Sequence, residues 1–141
     1  MQRVAVDSSI LIAIMNAEPE ADLLQAALDC SIRVIGWPTV FETRIWVARR
    51  RRPEFAKWLD AFLELDQTIC IPFDAVHDRL AHRGFRIYGK GRHPASLNFG
   101  DCMTYAIATA DNLPLLFKGG DFGKTDIAVH PASVIIVSAD I

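Results

Sequence analysis

Four acidic residues sit where elements begin or end. Asp7 closes the apolar run Val4-Ala5-Val6, Glu42 lies just inside a helix start, Asp101 falls in the first turn of the helix after Leu97-Asn98-Phe99-Gly100, and Asp121 follows Leu115-Leu116-Phe117. Gathered in one place such carboxylates repel: two unit charges about 5 Å apart at an effective dielectric of about 20 interact by roughly 3 kcal/mol. Either some of them hold a proton, or a cation offsets them. Mg²⁺ or Mn²⁺ suits the role, taking oxygen ligands from a few carboxylates and keeping several waters. A water on such an ion gives up a proton more readily and attacks a phosphodiester, while the ion offsets charge on the phosphate.

Each acid also has a local reading. Asp7 suits the N-cap of a first helix. Thr39 and Glu42 have the spacing of a capping box. Asp101 complements a helix dipole. Asp121 and Asp126 sit in a Gly-rich turn, where Asp bonds nearby backbone. Ser8 and Ser9 fit a helix start, and either hydroxyl also suits orienting Asp7 or a metal-bound water. The joint placement of the acids favours a site over four separate caps. The histidines (His77, His82, His93, His130) show no ligand spacing.

The elements that must position these acids follow from periodicity. Val4–Val6 reads as a buried strand and Ile10–Met15 as a helix. Glu20–Cys30 places Ala21, Leu24, Ala27 and Leu28 at helical spacing, and Val34–Gly36 reads as a strand. Helices are predicted from Thr39 to Ala48 and from Pro53, the latter with Phe55, Trp58, Leu59, Phe62 and Leu63 on one face. Thr68–Ile71 alternates as a strand, and Asp74 opens a helix to Tyr88 with Val76, Leu80 and Phe85 inward. After the loop Gly89–Pro94 and the Asp101 helix come a strand at Leu115–Phe117, a Gly119-Gly120 turn and a last strand at Val134–Val137. Strands alternating with helices imply a mainly parallel sheet covered on both faces, with ligands gathered beyond the strand carboxyl ends.

The chain has 141 residues and 51% hydrophobic content, which suits one domain over residues 1–141 with a real core. Its net charge is −2, so any charge signal lies in placement. Cys30, Cys70 and Cys102 are odd in number and form no CxxC pair, fitting buried thiols in a reducing cytoplasm. No signal or membrane-spanning pattern is visible, and a soluble cytoplasmic domain is expected. Basic residues cluster twice: Arg49-Arg50-Arg51-Arg52, and a group running from Arg79 to His93 that includes Lys90 and Arg92. The second leads straight into the Asp101 motif, where a phosphate backbone needs counter-charge.

Val6-Asp7-Ser8-Ser9, the Glu42 helix, Tyr88-Gly89-Lys90-Gly91-Arg92-His93-Pro94, Leu97-Asn98-Phe99-Gly100-Asp101-Cys102, and Leu115–Phe122 with Thr125-Asp126 resemble PIN-domain ribonucleases. More narrowly they resemble the VapC-type toxins of bacterial toxin–antitoxin pairs, over nearly the whole chain. The resemblance implies a three-layer α/β/α fold and Mg²⁺- or Mn²⁺-dependent cleavage of RNA. It further implies a homodimer, and inhibition by a VapB-type antitoxin whose tail enters the active site. Carried over by position, Asp7, Glu42, Asp101 and Asp121 form the acidic quartet; Ser9, Asn98 and Asp126 are secondary candidates beside it, and the placement of Lys90 and Arg92 before the Asp101 motif suits contact with the RNA. This chain has Gly120 where many relatives carry an acid. Asp121 or Asp126 therefore completes the site, with Asp121 favoured. The aromatics Trp46, Phe55, Trp58 and Phe62 are expected to form a hydrophobic groove for the antitoxin, and the dimer to form near the Asp101 helix. Two other classes stay open: a different metal-dependent phosphoesterase (a DNA nuclease or phosphatase), and a non-catalytic binding module.

Overall fold

The computed structural model describes residues 1–137. Its main sheet has four strands in the order β3-β2-β1-β4, all parallel: β1 is Gln2–Val6, β2 Ser31–Gly36, β3 Thr68–Ile71 and β4 Leu115–Leu116. Along these strands the side chains divide by parity. Val4, Val6, Ile35 and Leu116 join one apolar cluster with Ile10, Leu11, Leu24, Leu28, Phe55, Leu59 and Phe62. Ala5, Val34 and Leu115 join another with Leu97, Tyr105, Ile107, Phe117 and Phe122. Both faces are therefore covered, the first by α1 (Ser8–Met15), α2 (Ala21–Asp29) and α4 (Pro53–Glu64), the second by α5 (Ala75–Tyr88) and α6 (Phe99–Ala110). This is the expected α/β/α sandwich. Among the described residues no helix is long and apolar enough to cross a membrane.

Four sequence-based expectations are revised. The helix carrying Glu42, α3 (Trp37–Ala48), starts earlier than Thr39. Pro38 presets the first turn and Gly36 is the N-cap, so Thr39 and Glu42 form no capping box. Thr39 instead lies inside, its hydroxyl 3.3 Å from that of Thr104.

The inward face of α5 is also rotated. His77 and Gly84 are buried, with Ala81 and Tyr88 partly so, whereas Val76 and Phe85 are exposed. A Cβ on Gly84 would come within 2.7 Å of the Tyr105 ring. The missing side chain lets α5 approach α6 with Tyr105 between them, and that approach fixes the rotation.

Gly119 lies in a short strand rather than a turn: β5 (Lys118–Gly119) pairs in parallel with β6 (Val134–Ile135) as a separate ribbon. Finally, Phe55 and Phe62 are core residues, and Trp46 and Trp58 pack half-buried against them, stacked at 5.4 Å on Phe55 and Phe62. The open apolar stripe of this region is Trp37, Phe41 and Ile45 on α3.

Candidate active site

The parallel order turns the carboxyl ends of β1 and β4 toward one edge of the sheet. There a cleft of about 450 Å³ is lined by Asp7, Glu42, Asp101 and Asp121, with Ser8, Ser9, Asn98 and Lys118 between them. Acids from four separate parts of the chain thus meet at one opening.

Each is held by its own local structure. Asp7 follows β1 and does cap α1: its Oδ2 accepts the Ser9 N–H at 3.1 Å and the Ser9 hydroxyl at 2.6 Å. Asp7 therefore caps α1 and lines the cleft at once. Ser9 Oγ also accepts the Lys118 N–H at 3.0 Å, tying β5 to the start of α1. Glu42 Oε1 accepts the Ser8 hydroxyl at 2.7 Å. Asp101 is the third residue of α6 and forms a reciprocal cap with Asn98: its N–H reaches Asn98 Oδ1 at 2.8 Å, and its Oδ2 accepts the Asn98 N–H at 3.1 Å.

The electrostatics agree with the geometry. Burial pushes the Asp101 carboxyl up to about 7, opposed by the Asn98 backbone bond and reinforced by the charges of Asp7, Asp121 and Glu42. Burial also raises Asp7, against the hydrogen bonds of Ser9 and Thr104, and raises Glu42, against the Ser8 bond and with the charge of Asp7. These acids sense one another's charge. No three His, Cys, Asp or Glu side chains among the described residues converge closely enough to enclose an ion by themselves. The all-oxygen donor set around an open cleft still fits a hard divalent cation that keeps part of its water shell, since Mg²⁺ commonly binds through one or two carboxylates.

Asp126 lies elsewhere. It accepts the Tyr105 hydroxyl at 2.7 Å and sits 3.8 Å from Arg83, in a separate hollow lined by residues of α5 and α6. Asp121, not Asp126, lines the cleft. Lys90 and Arg92 are exposed in the loop after α5 and line no part of it; the Arg92 guanidinium stands 5.3 Å over the Phe85 ring.

Lys118 is the site residue that sequence reasoning missed. Its ammonium pairs with Glu18 and, at 2.8 Å, with Glu20, and these two carboxylates raise its pKa. The signal was its place just past the β4 run, beside Asp121. Thr104, one turn beyond Asp101 on α6, was missed as well.

Residues 4–128 match the PIN domain family. Among curated proteins, Ribonuclease VapC of Mycolicibacterium smegmatis is 40% identical over 129 residues, covering 90% of this chain and 100% of that one. Ribonuclease VapC36 of Mycobacterium tuberculosis is 42% identical over 125 residues, covering 86% and 89%. Among solved structures, FitAcB from Neisseria gonorrhoeae superposes with a TM-score of 0.68 at 21% identity, covering 92% of this chain and 97% of that one. VapBC2 from Rickettsia felis, solved with a DNA fragment of its promoter, gives 0.66 at 17%, covering 95% and 97%. The likeness to these structures bears on the fold, whereas the identity to the ribonucleases extends along the chain. The chain belongs to the PIN domain family, among its VapC-type ribonucleases.

Proposed function

We propose that this chain is a divalent-metal-dependent endoribonuclease, the toxin half of a toxin–antitoxin pair. The observation that carries the reading is the convergence of Asp7, Glu42, Asp101 and Asp121 on one cleft, with raised carboxyl pKa values at three of them. Asp7 and Asp101, with Glu42 and Asp121, would hold Mg²⁺ or Mn²⁺. Such an ion, when bound, supplies an activated water and offsets phosphate charge. The chain's own part is orientation: Ser9 fixes Asp7, Ser8 fixes Glu42, and Asn98 fixes Asp101. In the metal-free cleft the Asp101 carboxyl is raised to about 7 by burial and the neighbouring acids, which marks it as a charge that a bound cation would offset. Lys90 and Arg92 supply positive charge to the RNA on the loop that leads into Asn98.

Two protein partners belong to this reading. A VapB-type antitoxin covers the stripe Trp37, Phe41 and Ile45, which lies on the same helix as Glu42. Support comes from the structural neighbours, one of which is a toxin–antitoxin complex from Klebsiella pneumoniae. A second copy of the chain packs on the apolar hollow of about 400 Å³ lined by Phe73, Phe85, Phe99 and Met103, beside the Asp101 helix.

The deciding experiment is cleavage of total RNA with Mg²⁺, with EDTA, and by Asp101→Asn in Mg²⁺. Cleavage by the wild type in Mg²⁺ alone is expected. Wild-type activity in Asp101→Asn defeats the reading, and turnover of DNA or phosphate monoesters in preference to RNA moves the protein to another phosphoesterase class.

A further inference from the structure

The acid cleft continues into a second hollow. Ser8, Ile12 and Glu42 line both, and beyond Glu42 the second, of about 470 Å³, is walled by Ile45, Trp46, Arg49 and Arg50. Helix α3 and the turn after it therefore present in sequence an acid, an aromatic and two arginines along one continuous groove. A polyanion approaching a cleft ringed with carboxylates meets repulsion unless cations flank the entry.

The arginines of the run differ in how they are held. Arg52 is taken up by Glu54, at 2.6 Å from Nε, and by the Phe55 ring, 4.4 Å away. Among the described residues neither Arg49 nor Arg50 pairs with a carboxylate. Arg50 is nonetheless fixed in place. Its guanidinium lies 3.7 Å from the Trp46 ring centroid, and its Nη1 donates to the Trp46 carbonyl at 2.9 Å.

Phe55 stacks on Trp46 at 5.4 Å, so the indole acts as a support and the guanidinium plane is the surface it presents. A helix C-terminus explains an arginine bonded to the last carbonyls. It does not explain an immobilised guanidinium with spare donors, opening on the groove that leads to the acids. A held guanidinium loses little freedom on binding, grips phosphate through two N–H groups and stacks on bases.

We propose that Arg49 and Arg50 form a phosphate-binding subsite for single-stranded RNA next to the scissile bond. The strand then runs from the acids along α3 toward its C-terminal end. The proposal rests on the ribonuclease reading above and deepens it. The loop with Lys90 and Arg92 lies outside this groove and makes a separate contact.

The test is fluorescence anisotropy with a labelled polyuridine oligonucleotide over a series of NaCl concentrations, on full-length Asp101→Asn protein so that binding is read without turnover. Adding Arg49→Ala and Arg50→Ala should weaken binding by about tenfold or more. It should also lower the slope of log affinity against log salt by about 1.4, two contacts at about 0.7 each on a single strand. Arg51→Ala, exposed and outside the groove, should leave the slope in place. Arg49→Glu alone guards against a packing defect, because the Arg49 side chain makes no hydrogen bond among the described residues and its reversal should cut affinity with an unchanged melting temperature. An unaltered slope in the double variant, or an equal loss in Arg51→Ala, overturns the subsite and leaves the groove to a protein partner. Retained cleavage by Asp101→Asn would instead defeat the ribonuclease reading, and the two failures are read in different assays.

Discussion

Gly100 stands where any side chain would strike the carboxylate of Glu42: a Cβ built on it overlaps Glu42 Oε2. Helix α6 thus presses its first turn against an acid of α3, and that approach brings Asp101 and Glu42 to one cleft. Gly100→Ala should leave the fold intact, since Ala is the better helix former by about 1 kcal/mol and the displaced atoms are the end of a flexible side chain. Cleavage should fall by about tenfold or more as the Glu42 carboxylate is moved. A melt and a rate measured on one preparation check this, and an unchanged rate would mean that cleavage does not depend on where Glu42 is held.

The raised Asp101 carboxyl makes stability depend on pH. The folded state holds that proton up to about 7, the unfolded chain only to about 3.8, so between these values the native state binds more protons. Stability of the metal-free protein should therefore fall as pH rises through this window, by a few kcal/mol at most. Burial of Asp7 and Glu42 acts in the same direction. Melting in EDTA across the window should show the fall, and Asp101→Asn should flatten it.

Adding Mg²⁺ or Mn²⁺ near neutral pH should stabilise the wild type, by about 2.7 kcal/mol at a hundredfold excess over the dissociation constant, and so raise its melting temperature. Asp101→Asn should lose most of that gain. Equal gains in both proteins would mean that the ion binds elsewhere.

Asp121 and Asp126 should separate cleanly. Asp126→Ala strands the hydroxyl of the fully buried Tyr105 and should cost about 1–3 kcal/mol, with cleavage retained once the protein is folded. Asp121→Asn should abolish cleavage with little change in melting. The reverse pattern would exchange the two assignments.

On the helical faces, Trp58→Ala should destabilise by about 3 kcal/mol, because the indole packs on the core and stacks on Phe62. Phe41→Ala, at 65% exposure, should leave melting unchanged and weaken neutralisation by the co-expressed antitoxin. Phe99, 82% exposed, should matter for self-association, with Phe99→Glu sedimenting as a monomer.

The readings that hold and those that fail divide along a physical line. Asp7 and Asp101 were legible because strand end, acid and cap are local features: Asp7 caps α1 with its own carboxylate, and Asn98 faces Asp101 three residues on. Glu42 lines the cleft, and its rival reading as the return partner of a capping box does not hold. The Thr39–Glu42 spacing is genuine, but Pro38 had already begun the helix, and only that early start leaves the carboxylate to meet Ser8. The rotation of α5 was invisible because the group that decides it, the Tyr105 ring against Gly84, comes from the next helix. Trp58 and Phe62 looked like surplus apolar surface because periodicity marks a face without saying how deep it lies.

β1 pairs with β2 on one side and with β4 on the other, Ala5 beside Leu115 and Val6 beside Leu116. During synthesis half of β1 therefore waits, its ladder unfilled, until nearly the whole chain has left the ribosome, and Asp121 emerges only after β4. Such long-range parallel pairing is slow to form and leaves a strand edge open in the meantime. The nascent chain carries Asp7, Glu42 and Asp101 with no assembled cleft between them. The cleft is completed only late, and a chain cut short before residue 115 lacks both the strand and the last acid.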